Sequence, residues 1–361
     1  MPHKIPPLLV ILAIFLSAGC TRLSGTVMLN GAGLEGVTVT LSGPTTAEAV
    51  TDYEGRYVFE AAGLETGTYI ATPDLEGYDF TPAEREFLFS GESVAAIDFE
   101  AEFDDFMERR FDEVAFATTH NAMANAEDGW LLPNQRYSIT RQLNDGVRGL
   151  MLDIHKWENE IVLCHGCEEW YGHLGGYRPL ADGLTEIRLF LEENPDEVVT
   201  IIFESYVSRI DAEGAFVESG LFDFLHAQSQ SVHWPTLGQM AAEDRRVVVL
   251  TSDDGLHGSW YHPVWSFAWE TDWSNEYPSD FTCDVNRGHI TNDLFILNHF
   301  LSRGLTPKRA LAKEVNENPF FIGRAMRCFE ASGKIPNFVT VDHYDIGDVF
   351  HVVNALNALR P

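Results

Sequence analysis

Two histidines and three oxygen-bearing side chains stand at the ends of apolar runs, and their types suit chemistry at a phosphate ester. His120 closes Val114-Ala-Phe-Ala-Thr-Thr-His120 and is followed by Asn121, while His165 closes Ile161-Val-Leu-Cys-His165. Imidazole titrates near neutral pH, so one histidine can take the proton of an attacking hydroxyl while the other protonates the leaving alcohol. A phosphodiester attacked by its own neighbouring hydroxyl needs that division of labour. Asn121, Asp153 and Glu204 are oxygen donors at strand ends. Such a set suits a hard cation, calcium or magnesium, which would neutralise charge on non-bridging phosphate oxygens. The competing reading is structural: two packed histidines among 13, with Asp153 and Glu204 hydrogen-bonding those histidines or loop amides.

The elements that must position these groups are strands ending at one level. Gly149-Leu-Met-Leu-Asp153-Ile-His155, Val198-Val-Thr-Ile-Ile-Phe-Glu204 and Phe338-Val-Thr-Val-Asp342-His343 are further apolar runs with ionisable C-terminal ends. In parallel α/β barrels the active site lies at that end of the strands. Between the runs the spacing turns helical. Leu184, Ile187 and Leu191 share a face ahead of Asn194-Pro195, and residues 307–317, 320–331 and 349–359 predict further helices. Segments 246–251 and 293–298 predict buried strands. From about residue 106 this alternation predicts an α/β fold, a single (β/α) barrel. Residues 23 to about 100 read as all-β instead, with period-2 alternation in Val37-Thr-Val-Thr-Leu-Ser and Tyr57-Val-Phe between Gly, Asp, Asn and Pro turns. The acidic stretch 98–105 is the expected junction.

The 361 residues allow two domains, and 45% apolar with 12% aromatic composition argues against disorder. A balance of 24 Lys+Arg against 55 Asp+Glu gives a net charge of −31. Such a surface repels polyanions at long range and excludes nucleic acid as a partner. Lys4 precedes an apolar run at 8–16, too short for a comfortable membrane span. It ends in Leu16-Ser-Ala-Gly-Cys20, which resembles a bacterial lipoprotein signal with lipid on the Cys20 thiol and a membrane anchor as the result; Ser17 departs from the aliphatic residue usual there. Ordinary signal-peptide cleavage nearby is the alternative, and both readings export the mature chain. The expected segments are therefore a signal at 1–19, a β-sandwich at 20–101 and the barrel at 102–361. Beyond Cys20 four cysteines remain, and the expected pairing is Cys164 with Cys167 and Cys283 with Cys328. The Cys-x-x-Cys spacing also occurs in zinc sites, but the sequence has no second Cys-x-x-Cys or His-x-x-x-His to complete one.

Together Thr119-His120-Asn121, Gly146-Val-Arg-Gly-Leu-Met-Leu-Asp153, Leu163-Cys-His165 and Asn194-Pro-Asp-Glu-Val-Val-Thr-Ile…Glu204 closely resemble the X domain of phosphatidylinositol-specific phospholipase C, nearest its secreted single-X-domain branch. The likeness continues through Leu297-Asn-His-Phe300 and Pro336-Asn-Phe-Val-Thr-Val-Asp342 and covers residues 110–358. It implies an irregular TIM barrel and a phosphoric diester hydrolase or phosphotransferase acting on a phospholipid-like diester, phosphatidylinositol included. His120 matches the histidine that assists hydroxyl attack, His165 the general acid, and Asp342 the carboxylate orienting the first histidine. Asn121, Asp153 and Glu204 match calcium ligands of metal-dependent members. Two departures stand out. Met151 occupies the place of another acidic ligand, and a thioether is a poor calcium ligand. The metal-independent members carry arginine where this chain has Asp153, and Arg148, at the wrong end of its strand, reads as structural.

The N-terminal pattern Gly25-Thr-Val, Gly36-Val-Thr-Val-Thr-Leu, Thr51-Asp-Tyr-Glu-Gly-Arg-Tyr57 and Gly67-Thr-Tyr69 resembles carboxypeptidase-regulatory-like β-sandwich modules, a spacer or adhesive element without a catalytic constellation. Val249-Leu-Thr-Ser252-Asp-Asp lacks the lysines and arginines that bind extra headgroup phosphates, which excludes a polyphosphorylated substrate. Trp260, Tyr261, Trp265, Trp269 and Trp273 are candidates for a rim that meets lipid, sugar or choline-like groups. Two alternatives compete. A sphingomyelinase-D- or glycerophosphodiesterase-like hydrolase is disfavoured by His-Asn-Ala in place of His-Arg-Gly. A surface-anchored binding protein on a degenerate barrel is favoured by Met151 and disfavoured by the two histidines.

Overall fold

Val247-Val-Val-Leu-Thr251 and Leu294-Phe-Ile-Leu-Asn298 are buried at every position, as strands covered on both faces of a parallel sheet must be. The computed structural model describes residues 21–165, 167, 176–253, 258–304 and 306–359; the expected signal segment and Cys20 lie outside the described residues. The ten-stranded sheet includes β1 (Phe116–Thr119), β2 (Gly149–Trp157), an added hairpin strand β3 (Glu160–Leu163) paired in turn with the short strand Arg178–Pro179, β4 (Val199–Ser205), β5 (Val247–Thr251), β6 (Tyr261–Pro263), β7 (Ala268–Glu270), β8 (Leu294–Asn298) and β9 (Phe338–Val341). Eight of these run parallel in the order β6-β5-β4-β2-β1-β9-β8-β7. The ends β6 and β7 are bridged by the four-residue helix Val264–Phe267, so the barrel is irregular there. Helices α1 (Leu180–Glu193), α2 (Lys308–Val315), α3 (Phe320–Ser332) and α4 (Val349–Asn357) fall where the apolar spacing predicts them.

The alternation of side chains along each strand divides the core in two. Phe116, Ile202, Val248, Leu250, Ile296 and Phe338 form one cluster, with Met151 packed against it, inside the curled sheet. Ala117, Leu150, Leu152, Ile201, Phe203, Val249, Leu297 and Val339 pack outward with Leu184, Ile187, Phe321 and Val352 of the helices. Gly149 stands where β2 comes closest to β1. A Cβ there would lie 2.2 Å from Thr118 Oγ1, inside any van der Waals contact.

One expected barrel strand is something else. Ile161-Val-Leu-Cys-His165 does not end with the parallel strands; β3 folds back antiparallel on β2, pairing Ile154 with Leu163 and Trp157 with Glu160. The cause is the length of β2. It runs past the level where β4 ends, and the turn at Glu158, with φ +53°, returns the chain toward the rim.

The N-terminal part is all-β, as its period-2 pattern predicts. One sheet of five strands includes Arg22–Leu29, Arg56–Glu60 and Phe99–Phe103, and another of four runs in the order Ala47–Val50, Thr38–Ser42, Gly67–Asp74, Arg85–Phe89. The compact units are not divided at a single point. The second unit holds residues 28–33 and 77–79 as well as everything from Ala101. Within it, the Asn354 amide of α4 donates to the Leu29 carbonyl at 2.8 Å and its oxygen accepts from Asn30 at 3.2 Å, a link that periodicity does not reveal.

Candidate active site

The interior alternation runs through the last rungs of the parallel ladder and one residue beyond, and these positions build a cavity of about 510 Å³ at the C-terminal rim. Residues of the same parity as Phe116, Met151, Ile202, Leu250 and Ile296 are His120, Asp153, Glu204, Ser252 and Asn298, and all five line it. Phe338 leads by the same step to Asp342. Asp153 of β2 lies directly opposite Glu204 of β4 in the ladder. Asn121 turns the chain off β1 with φ +47°, a left-handed conformation that asparagine tolerates. His165 arrives from above through the β2–β3 hairpin, its loop closed by the Cys164–Cys167 disulfide. The second expected disulfide, Cys283–Cys328, is also formed.

Each histidine is held by a buried carboxylate. His120 Nδ1 lies 2.9 Å from Asp342 Oδ1, and the Asn134 amide donates to the same oxygen at 2.8 Å. Its ring stacks on Phe300 at 3.9 Å. A carboxylate at Nδ1 selects the Nδ1–H tautomer and leaves Nε2 as the basic nitrogen. Burial pushes the Asp342 carboxyl up, but His120, Lys308 and Asn134 together outweigh it and hold the group below its ordinary value. Across the cavity His165 Nδ1 lies 2.8 Å from Asp153 Oδ2 and 3.2 Å from the Asn121 amide nitrogen. The Asp153 hydrogen bond raises the proton affinity of His165; partial burial opposes it, and the charges of Asp153 and Glu204 add to it. Two imidazoles on one cavity, each with a carboxylate behind one nitrogen, can move one proton each at their Nε2 atoms.

The sign of the His165 shift gives a test. A histidine whose folded-state affinity is raised stays protonated to higher pH, and the stability it adds is present below its unfolded pKa and lost as pH rises through the folded one. Asp153→Asn removes the largest cause, so the His165 titration followed by NMR is expected to move to lower pH. An unmoved titration would show that Asp153 does not set it.

The expected calcium ligands come together on one cavity, each engaged by a protein partner. Asp153 is engaged by His165, Glu204 accepts from the Tyr206 hydroxyl, and the Asn121 amide nitrogen faces His165. Met151 lines the wall between them. Among the described residues no group of three His, Cys, Asp or Glu side chains is placed to hold a metal ion. Calcium takes six to eight oxygens, side-chain amides and waters included, and Asn121, Asp153 and Glu204 are the side chains that would hold it.

Other expectations divide. His155 stacks on Tyr206 at 4.2 Å and His343 faces Asp345 at 3.4 Å, so neither lines the cavity. Arg148 is structural, paired with Glu197 and lying 4.8 Å over Phe190. Of the aromatic cluster only Trp265 and Trp273 reach the cavity; Trp260, Tyr261 and Trp269 are buried, Trp269 stacked on Phe295 at 3.7 Å. Tyr261 and Trp269 sit in short buried strands rather than on a loop rim. Sequence reasoning missed Lys308, Arg287, Glu270 and Asn298 on the wall and Asn134 behind it. Asn298 and Glu270 each end an apolar run, which was the signal available.

A match to the family described as PI-PLC X 1 covers residues 106–357. A PI-PLC X domain-containing protein of Arabidopsis thaliana is 30% identical over 282 residues, covering 68% of this chain and 62% of its own length. An uncharacterized secreted protein of Arthroderma benhamiae is 28% identical over 285 residues, covering 70% and 62%. The chain thus spans under two thirds of the length of both relatives. A solved phosphatidylinositol-specific phospholipase C from Listeria monocytogenes aligns with a TM-score of 0.46 and 14% identity over 70% of this chain and 94% of that one. With a match reaching from ahead of β1 to the end of α4, the chain belongs to the PI-PLC X family.

Proposed function

We propose that the chain is an exported phosphodiesterase of the phospholipase C type that cleaves a lipid or lipid-like phosphodiester by paired histidine acid–base chemistry. The observation that carries this reading is the pair of carboxylate-backed histidines, His120 with Asp342 and His165 with Asp153, on one rim cavity. His120 Nε2 takes the proton of a hydroxyl next to the phosphate as its oxygen bonds to phosphorus. His165, protonated, gives its proton to the leaving oxygen as that P–O bond breaks. Trp273, half exposed beside Trp265 and Phe300, offers an apolar lip for the alcohol portion. Export accords with the two disulfides, the Cys20 signal pattern and the secreted relative.

The test is ³¹P NMR of the products from a panel of phosphodiesters. A cyclic phosphate resonance is expected, appearing before any monoester. An unchanged spectrum across the panel would remove the enzyme reading and leave the non-catalytic binding barrel, which the incomplete cation set favours.

A further inference from the structure

A phosphodiester entering the cavity brings a negative charge to walls that already carry Asp153, Glu204 and Glu270. Something must offset it, and Asp153, Asn121 and Glu204 are already engaged by His165 and Tyr206. Among the described residues two side chains on these walls are strongly basic, Arg287 and Lys308. Arg287 is already neutralised. Its Nε donates to the buried Glu270 carboxylate and its guanidinium lies 4.4 Å over the Trp265 ring.

Lys308 is placed differently. It is the first residue of α2, one fifth exposed, with Nζ 3.8 Å from Asp342 Oδ2 and 3.4 Å from the Leu301 carbonyl. Among the described residues Asp342 Oδ2 accepts no hydrogen bond, so the ammonium stands at ion-pair distance without being locked to it. An ammonium has three N–H donors, and the Leu301 carbonyl occupies one. Asp342 Oδ1 holds His120. A single buried carboxylate therefore sets the candidate base and the spare cation side by side.

We propose that Lys308 contacts a non-bridging oxygen of the bound phosphoryl group and supplies the charge that a metal ion or an arginine would otherwise bring. The proposal rests on the phosphodiesterase reading for its catalytic consequence, but not for its binding consequence. Lys308 is then a catalytic residue rather than a mere companion of Asp342, and calcium is dispensable.

The test uses the full chain with two probes. Inorganic phosphate binding is measured by calorimetry with and without EDTA. Turnover is measured on a diester in which each non-bridging oxygen in turn is replaced by sulfur. Lys308→Met, which keeps the aliphatic stem, is expected to weaken phosphate binding about 10- to 100-fold, the loss of one charge-assisted contact. It should also erase the preference between the two sulfur isomers. Lys308→Arg should recover both in part, and Lys308→Gln serves as the second neutral variant if the Met protein does not fold. EDTA should change nothing in wild type. Phosphate binding equal to wild type in the neutral variants, an undiminished isomer preference, or wild-type binding abolished by EDTA would each overturn the proposal. If wild type cleaves no diester while phosphate binding still depends on Lys308, the enzymatic reading falls and the assignment of Lys308 stands.

Discussion

Alanine at His120 or at His165 is expected to lower turnover of a phosphodiester substrate by about 10²–10⁴-fold each, the usual weight of a positioned acid or base. The two variants should differ in kind. His165 serves only the leaving oxygen, so a diester with an acidic leaving group such as p-nitrophenol should restore much of the His165→Ala rate. His120→Ala should gain nothing from that substrate, because attack still lacks its base. The double variant should be little worse than either single one if the pair acts as a unit. Neither change threatens the fold: His165 is half exposed, and His120 stacks on Phe300 at the cavity wall. Circular dichroism and thermal melting should therefore stay near wild type. Turnover of ordinary diesters unaffected by either substitution would end the acid–base account.

The second large effect is expected at a residue that never meets substrate. Asp342→Asn should reduce kcat by about 10²–10⁴-fold, as removing the carboxylate of a carboxylate–histidine pair does elsewhere. The amide can donate to His120 Nδ1 where the carboxylate accepted, so the favoured tautomer reverses and Nε2 carries a proton when it should take one. The substitution also removes the charge facing Lys308. Nitrogen-15 shifts of His120 report the tautomer directly. A full loss of turnover with an unaltered tautomer would mean that Asp342 acts on the ammonium instead. An unchanged rate would make the pair structural.

Much of this was legible in the chain because buried parallel strands announce themselves as apolar runs, and polar punctuation at their ends is conspicuous. His120, Asp153, Glu204 and Asp342 were found that way, and all of them stand at the rim or behind it. The signal fails where one pattern has two meanings. Ile161-Val-Leu-Cys-His165 has the texture of a barrel strand, yet hairpin pairing with the overlong β2 makes it antiparallel; periodicity carries no direction. Trp269 and Tyr261 pass as rim candidates because three-residue strands are too short to show alternation. Lys308 was invisible for another reason. It enters on a helix N-terminus rather than a strand end, and its meaning comes from Asp342, 34 positions later in sequence. Asn134 donates to Asp342 from still further away. Calcium illustrates the limit of matching residues by type: Asn121, Asp153 and Glu204 converge as expected, but hydrogen bonds to His165 and Tyr206 engage them first.

The shared parity of wall and cavity couples evolvability to register. Phe116, Ile202, Ile296 and Phe338 fill the barrel on the same side of their strands that later presents His120, Glu204, Asn298 and Asp342. Insertion or loss of one residue within β1, β4, β8 or β9 would rotate that strand's functional group outward and bring its helix-facing residues into the barrel. Such a chain would lose its core and its chemistry in one event, with no partly working intermediate to select. Trp273, beyond the end of β7, stands outside the parallel ladder. Changes of length are therefore tolerated more readily in such segments than in the strands.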